Sequence, residues 1–236
     1  MSPKAAQPFL SAQQAMTARS QGRRAQEKQQ TQARILAAAR KLFLKEGVEA
    51  VSMRKIAKAI RYTPAAIYVH FKDKDELVRT LMQGDFAMFD RALFDVGRVA
   101  DPVDRLRGIG RAYVRFALEH PHHYRLMFMN PLPSPEPGAC SKNIDNPEEH
   151  GYAFLRATVA DCISQGRFGP RFQDLDQTTM LCWAGAHSVV SLYIAHGDDP
   201  WIPWPEPVAA ADAMLDALTD AMTSGVHAPK RKGATP

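Results

Sequence analysis

The sequence has 236 residues, of which 45% are hydrophobic, and carries a formal net charge of +5. This composition can form one large core or two smaller ones, and it excludes a chain that is disordered throughout. The apolar runs are far shorter than the roughly 20 residues of a membrane span, and the first residues do not resemble a signal peptide. We therefore expect a cytoplasmic protein with no membrane partner. The three cysteines form neither a zinc-ligand spacing nor a disulfide pattern, which fits a reducing compartment.

The positive charge is concentrated near the N-terminus. Met1 to Thr80 contain 16 Lys and Arg against 6 Asp and Glu, whereas the remaining residues contain 14 against 19. The first third is therefore the candidate surface for a polyanion such as DNA. A basic face that is merely solvated is the alternative, and local patterns are needed to decide between the two.

The first 30 residues are rich in Gln, Ala, Ser and Arg and contain almost no large apolar side chains, so we expect residues 1–30 to form a flexible basic arm. A helical period of apolar residues begins near Thr31, and Gly47 stands where a helix-ending glycine belongs. The apolar face of this helix consists of Ile35, Leu36, Ala39, Leu42 and Phe43.

Two short helices are predicted next. Ser52 is a typical N-cap residue for the first of them. After a turn at Arg61, the pair Thr63 and Pro64 supplies an N-cap and a proline at the first helical position of a helix that reaches about Val69. One longer helix followed by two short ones is the order of a helix-turn-helix, which we predict over residues 31–74.

The remaining residues, 75–225, are predicted to form a second helical domain. Asp73 and Glu76 make a capping-box pattern at the start of a long helix from Asp75 to about Arg98. Another helix starts after Asp101 and breaks at His120, where a short aromatic segment follows.

A proline-rich loop over residues 131–147 interrupts this domain. We expect a helix to restart at residues 146–149, and two more helices to follow Asp174 and the loop 197–207. The total is about nine helices, and no alternating stretch is long enough for a sheet, so the predicted fold class is all-α. The basic tail, residues 226–236, is expected to be disordered.

The stretch from Ser52 to Leu77 resembles the DNA-binding signature of the TetR family of bacterial transcriptional regulators. It joins an Ile-Ala pair in the second helix to a Tyr-x-His-Phe ending of the third and a Lys-Asp-Glu-Leu start of the fourth. With the end of the first helix, the similarity covers roughly residues 31–80. Beyond it, the helix from Trp183 to His187 is similar to one found in a branch of the family's ligand domains.

Arg61 departs from the family pattern because it stands where these regulators usually have a turn glycine. A positive φ costs an arginine on the order of 1 kcal/mol, so we expect the turn to adopt a slightly different backbone.

The resemblance implies that the short third helix enters the major groove of an operator. The side chains at its start are small enough to touch thymine methyl groups, and the family's matching tyrosine and lysine contact phosphates. For Tyr68 and His70, packing in the three-helix core is the alternative. The DNA-binding candidates are Arg24, Ser52, Arg54, Arg61, Thr63, Pro64, Ala65, Ala66, Tyr68, His70 and Lys74.

Aromatic, methionine and histidine positions of the second domain are candidates for an effector cavity, although most such residues belong simply to a core. The ligand-binding candidates are Phe86, Phe89, Tyr113, Phe116, His123, Met127, Phe154, Trp183 and His187. His187 is explained equally well as a core histidine. His120, His122 and His123 have no cysteine or carboxylate at ligand spacing, so we predict no metal site and no cofactor.

The resemblance implies a ligand-responsive regulator, by default a repressor that a small hydrophobic effector releases from an inverted-repeat operator. We expect a homodimer through the last two helices, which carry many small side chains. No nucleophile elbow, phosphate-binding glycine loop or paired carboxylates indicate an enzyme. A helical nucleoid or interaction protein without an effector site is the alternative, and a solid second core would favour it.

Overall fold

The computed structural model describes residues 7–129 and 146–224. Within these ranges the secondary structure consists of nine α-helices and one 3₁₀ turn without any β-strand, so the predicted all-α fold is confirmed. No helix in the described ranges combines the length and apolar character that crossing a bilayer requires. The helices are α1 Gln7–Glu46, α2 Met53–Ala59, α3 Pro64–Tyr68, α4 Lys74–Phe94, α5 Pro102–Glu119, α6 Pro121–Phe128, α7 Gly151–Ser164, α8 Leu175–His196 and α9 Pro207–Thr223.

The chain divides into two compact units between Leu81 and Met82, seven residues beyond the predicted domain boundary. Unit 1 contains α1, α2, α3 and the first turns of α4. Its core is apolar throughout and draws on all four helices. The buried hydrophobic residues of unit 1 are Ile35, Ala39, Phe43, Val51, Met53, Ile56, Ala57, Ile67, Phe71, Leu77, Val78 and Leu81.

Helix α1 starts at Gln7, well before the predicted start near Thr31. Residues 22–30 are exposed and add nothing to the core, but their backbone is helical rather than irregular. The reason is composition, because Ala, Gln and Arg are strong helix formers. Arg23 and Glu27 add an ion pair of 3.5 Å one turn apart on the same face. The apolar period therefore located the part of α1 that packs, and not the residue at which the helix begins.

Unit 2 is built around α5, which packs against α6, α7, α8 and α9. Both ends of α5 lie where the capping signals predicted: Asp101 accepts hydrogen bonds from the first turn, and His120 ends the helix before Pro121. The predicted proline-rich loop lies mostly in residues 130–145, outside the described residues, as does the tail from residue 225 onward.

Two helix boundaries in unit 2 differ from the prediction. α4 ends at Phe94, before the predicted Arg98, and α7 starts at Gly151, not at residues 146–149. Asn146 uses its side chain to accept a hydrogen bond from the backbone of Glu148, at 3.0 Å. This local bond holds residues 146–149 in a turn, because short polar side chains compete with helix formation.

Candidate DNA-binding surface and ligand cavity

The two short helices of unit 1 are capped as the sequence predicts. Ser52 Oγ accepts a hydrogen bond from the backbone of Lys55, at 3.3 Å, and so begins α2. Thr63 Oγ1 accepts one from the backbone of Ala66, at 3.2 Å, and Pro64 occupies the first position of α3. These caps fix where α3 begins and therefore which side chains lie on its exposed side.

The turn between α2 and α3 does not have the altered backbone that we expected at Arg61. Arg61 adopts a φ of 60°, the left-handed conformation that a glycine would take. Two hydrogen bonds close the end of α2 around it, from the backbone of Arg61 to Lys58 O at 3.2 Å and from Tyr62 to Ala57 O at 2.9 Å. This pair is the Schellman arrangement, which requires a left-handed residue between the helix and the next segment. The bonds offset the strain of about 1 kcal/mol that arginine carries there.

Helix α3 presents a free face. Ile67 is fully buried, whereas the side chain of Tyr68 is 53% exposed and Pro64 and Ala65 are exposed. The core-packing alternative therefore does not apply to Tyr68. His70 is half-buried, and its Nδ1 is buried without a hydrogen-bond partner among the described residues, so packing describes its position better.

Lys74 lies at the start of α4 and turns back towards the segment between α1 and α2. Its Nζ donates to Val48 O at 3.2 Å and lies 3.9 Å from a carboxylate oxygen of the fully exposed Glu49. Sequence reasoning missed both partners, because they lie 25 or more residues away along the chain. The remaining basic candidates, Arg24, Arg54 and Arg61, are exposed.

Unit 2 contains a cavity of about 450 Å³ among α4, α5, α6, α7, α8 and α9. Five of the predicted ligand-binding residues line it: Phe86, Phe89, Tyr113, Met127 and Trp183. Further aromatic and aliphatic walls come from residues that the sequence did not single out, among them Leu93, Leu106, Ile109, Phe128, Tyr152, Leu155, Leu215, Leu218 and Met222. Asp90 and His150 are the polar exceptions that the sequence analysis overlooked. The only available signal for Asp90 was its place one turn after Phe86, on the apolar face of α4.

Four predicted ligand-binding residues do not line this cavity. Phe116 is buried against Phe89, with ring centroids 5.1 Å apart. Phe154 packs on Phe94 beside a second, more open cavity. His123 and His187 are engaged in polar contacts with neighbouring side chains. Helical spacing identifies which positions point inward, but only the assembled helices determine which of these meet a gap.

The three histidines at the start of α6 differ in their surroundings. His123 Nδ1 lies 2.9 Å from the buried carboxylate of Asp85, His120 packs on the ring of Phe116, and His122 is exposed. Across residues 7–129 and 146–224, no three His, Cys, Asp or Glu side chains are grouped closely enough to hold a metal ion.

A line of hydrogen bonds borders the cavity. Trp183 Nε1 donates to Tyr113 Oη at 3.3 Å, the two tyrosine oxygens of Tyr113 and Tyr124 are 2.9 Å apart, and Tyr124 Oη lies 2.5 Å from His187 Nδ1. Burial raises the pKa of Tyr113 to about 12 and raises that of Tyr124 further, so both keep their protons. Burial also lowers the pKa of His187. Tyr113 Oη also lies 3.1 Å from His187 Nδ1, so both tyrosine hydroxyls converge on this ring nitrogen and Trp183 donates to one of them. Burial disfavours the charged form of the imidazole.

We expect acid to destabilise the protein through His187. Its folded pKa lies below the ordinary 6.5, so the unfolded chain takes up a proton first as the pH falls. The stabilising contribution is complete above the unfolded pKa and is lost as the pH falls through the folded pKa. The free energy of unfolding, measured with urea, should fall more for the wild type than for His187→Asn between about pH 7.5 and pH 5.

The matched control is His122→Asn, which removes an exposed histidine from the same unit and should retain the wild-type pH dependence. If His187→Asn and the wild type lose stability in parallel, burial does not hold the imidazole of His187 in its neutral form.

Comparison with known proteins gives matches over both units. Residues 35–81 match the family model for bacterial regulatory proteins of the tetR family, and residues 106–222 match the tetracyclin repressor-like C-terminal domain. The HTH-type transcriptional regulator AcrR of Shigella flexneri is 38% identical over 90 residues, which cover 36% of this chain and 40% of that protein. The match thus spans less than half of that relative's length.

Two solved structures extend the similarity over most of the chain. The TetR family transcriptional regulator PfmR from Thermus thermophilus aligns with a TM-score of 0.62 and 25% identity, covering 81% of this chain and 97% of that one. A putative fatty acid metabolism regulator from Clostridium perfringens aligns with a TM-score of 0.63 over 80% and 98% of the two chains, but at 15% identity it shows the fold alone. The matched N-terminal and C-terminal regions fall in unit 1 and unit 2 respectively, and the chain belongs to the TetR family of bacterial regulatory proteins.

Proposed function

We propose that this protein is a transcriptional repressor that binds an inverted-repeat operator as a homodimer and leaves it when a small, mostly apolar effector enters the cavity of unit 2. The observation that carries the proposal is that helix α4 contributes residues to both units. Its first turns belong to the helix-turn-helix unit, and Phe86 and Phe89 further along the same helix line the cavity. A nucleoid protein with a solid second core would have no use for such a cavity. A regulator of this kind acts on the bacterial chromosome, so we propose that the protein functions in the cytoplasm.

The exposed side of α3 supports the DNA-binding half of the proposal. Pro64, Ala65 and Tyr68 project from a helix whose inward position is occupied by Ile67. Small side chains at the start of a recognition helix permit close approach to base edges, and the phenol of Tyr68 suits a phosphate oxygen. Arg54 and Arg61 add exposed positive charge to the same unit.

Effector and DNA are coupled only if the effector binds the two states of the regulator unequally. A coupling of about 1 to 3 kcal/mol is typical and changes operator affinity by roughly 5- to 150-fold. Helix α4 is the covalent route for such coupling, because a change in its position at Phe86 and Phe89 is carried along a continuous helix to Lys74. Repression is the default direction in the family, and activation is the other outcome of the same coupling.

We expect Lys74→Ala and Tyr68→Phe to weaken binding to operator and unrelated DNA alike, because phosphate contacts carry no base information. The Lys74 change should also reduce the slope of log affinity against log salt by about one, as one counterion fewer is released. Substitution of Ala65, in contrast, should change sequence preference. Fluorescence anisotropy over a range of salt concentrations measures all three effects.

Arg171→Ala is the charge-matched control, since it removes an exposed arginine from unit 2. It should leave the salt slope unchanged. A Lys74→Ala protein with wild-type slope but lower affinity would point to the loss of the Val48 contact and not of a phosphate contact.

The effector is expected to be a small hydrophobic compound that lowers operator affinity in the wild type. Phe86→Ala and Phe89→Ala change the cavity wall and should shift the effector concentration needed for release, because truncating a buried aromatic side chain removes contact area. Operator affinity is measured across a panel of hydrophobic compounds. Phe154→Ala is the matched control, because it removes a half-buried phenylalanine outside this cavity.

Identical responses of the wild type, Phe86→Ala and Phe89→Ala to an active compound would place the effector elsewhere. If no compound changes DNA affinity, the result favours the alternative of a nucleoid or interaction protein without an effector site.

The outer faces of α8 and α9 support the homodimer. Leu181 and Leu192 are 42% and 52% exposed on α8, and Val208 is 49% exposed on α9. Small exposed residues on the same two helices permit close helix packing: Ala184, Ser188, Ala209, Ala213 and Ala217. Gly185 and Ala186 are further small residues of α8, but they face inward; a Cβ on Gly185 would lie 2.9 Å from Leu218.

We expect light scattering to report a dimer at micromolar concentration for the wild type and a monomer for Ala184→Glu, because a charge buried in an apolar interface is costly. Gln165→Glu is the control, since it adds the same charge at an exposed position at the end of α7, outside α8 and α9. If the wild type is a monomer, both the predicted homodimer and the predicted inverted-repeat operator are wrong.

A further inference from the structure

The charge pattern of the cavity in unit 2 is asymmetric. Asp90 on α4 is the acidic side chain of its wall, and within the described residues neither lysine nor arginine lines it. The other ionisable groups of the wall are two tyrosines, one cysteine and His150. The cavity therefore contains a potential negative charge without a matching positive group of the protein.

Asp90 is held in a defined position. Its Oδ1 accepts a hydrogen bond from the backbone of Gly151, at 3.0 Å, at the start of α7. A Cβ at residue 151 would lie 2.7 Å from this oxygen, so only glycine lets the carboxylate come this close. Among the residues that the structure describes, no further hydrogen bond or ion pair is formed with the carboxylate of Asp90. One of its oxygens is thus available to a ligand.

Burial raises the pKa of Asp90, whereas the Gly151 amide and the nearby His150 oppose the rise. A carboxylate in an apolar site is costly unless it is paired, and a cationic ligand would supply the missing partner. His150 does not pair with the Asp90 carboxylate directly, because its Nδ1 accepts a hydrogen bond from the backbone of Tyr152 at 3.2 Å.

The walls around Asp90 suit the same kind of ligand. Phe86, Phe89, Tyr152 and Trp183 line the cavity together with Asp90. The faces of aromatic rings attract cations within about 6 Å, most strongly where water is excluded, and they also bury the apolar body of a ligand. An anionic lipid would instead place its carboxylate in a cavity whose own charge is negative.

We propose that the effector cavity selects lipophilic cations, such as hydrophobic amines or quaternary ammonium compounds, with the positive group at Asp90 and the apolar body against the aromatic wall. This proposal rests on the assignment of the cavity as the effector site and adds the charge of the ligand. It makes Asp90 the residue that determines specificity.

The alternative for Asp90 is a purely structural role as the partner of the Gly151 amide. Asp90→Asn separates the two roles, because the asparagine oxygen can still accept that hydrogen bond while the charge is removed. Asp95→Asn is the matched control, since it removes an exposed carboxylate just beyond the end of α4 and outside the cavity.

The experiment uses three probes of equal chain length on the full-length protein: decyltrimethylammonium, decanol and decanoate, each below its micelle concentration. Isothermal titration calorimetry at neutral pH measures the affinities. We expect the wild type to bind the cation at least about tenfold more tightly than decanoate, and Asp90→Asn to lose about tenfold in cation affinity while binding decanol as before. Asp95→Asn should behave as the wild type.

Equal affinity of the wild type for the three probes, or unchanged cation binding by Asp90→Asn, would overturn the selection for cations while leaving the cavity as an apolar effector site. If none of the probes binds, both this inference and the assignment of the cavity as effector site are wrong. Loss of both decanol and cation binding in Asp90→Asn would show that the substitution disturbs the cavity itself, and would overturn the selection for cations in favour of a structural role of Asp90.

Discussion

Helix α4 must satisfy two cores at once, and this constraint shapes the whole molecule. Leu77, Val78 and Leu81 on its first turns are buried in unit 1, whereas Phe89 and Leu93 are buried in unit 2. A 21-residue helix is stiff, because each internal turn is closed by backbone hydrogen bonds. The backbone of α4 is thus continuous between these two groups of buried residues. The proposed coupling of effector and DNA depends on this continuity.

The polar groups beside the cavity of unit 2 differ in how fully they are partnered. Trp183, Tyr113, Tyr124 and His187 satisfy one another in a line of hydrogen bonds in which both tyrosine hydroxyls reach His187 Nδ1. In a site of low dielectric constant, such a satisfied line restrains the surrounding side chains, whereas an unpaired charge is costly. Asp90 is the contrasting case, since only part of its hydrogen-bonding capacity is used by Gly151. This difference is the reason for proposing Asp90, and not the tyrosines, as the polar group that binds a ligand.

The turn of the helix-turn-helix shows how hydrogen bonding prevails over a local preference. The preference of arginine for negative φ predicts an altered turn at Arg61, yet the residue keeps a φ of 60°. The two backbone hydrogen bonds that end α2 require this conformation, and losing both of them would cost more than the strain. The contact between Arg34 and Tyr62, with a hydrogen bond of 3.1 Å, further ties the turn to α1.

The sequence by itself determined the helical class, the order of the helices, the caps at Ser52 and Thr63 and the family signature, because these depend on local spacing and on backbone chemistry within a few residues. It did not determine the start of α1, the start of α7 or the partners of Lys74. It identified inward positions of unit 2 but not which of them meet the cavity: Phe86 and Trp183 do, and Phe116 and Phe154 do not. Asp90 was missed for the same reason. Whether an inward side chain packs, pairs or faces a gap depends on residues from other helices, and only the tertiary structure brings those together.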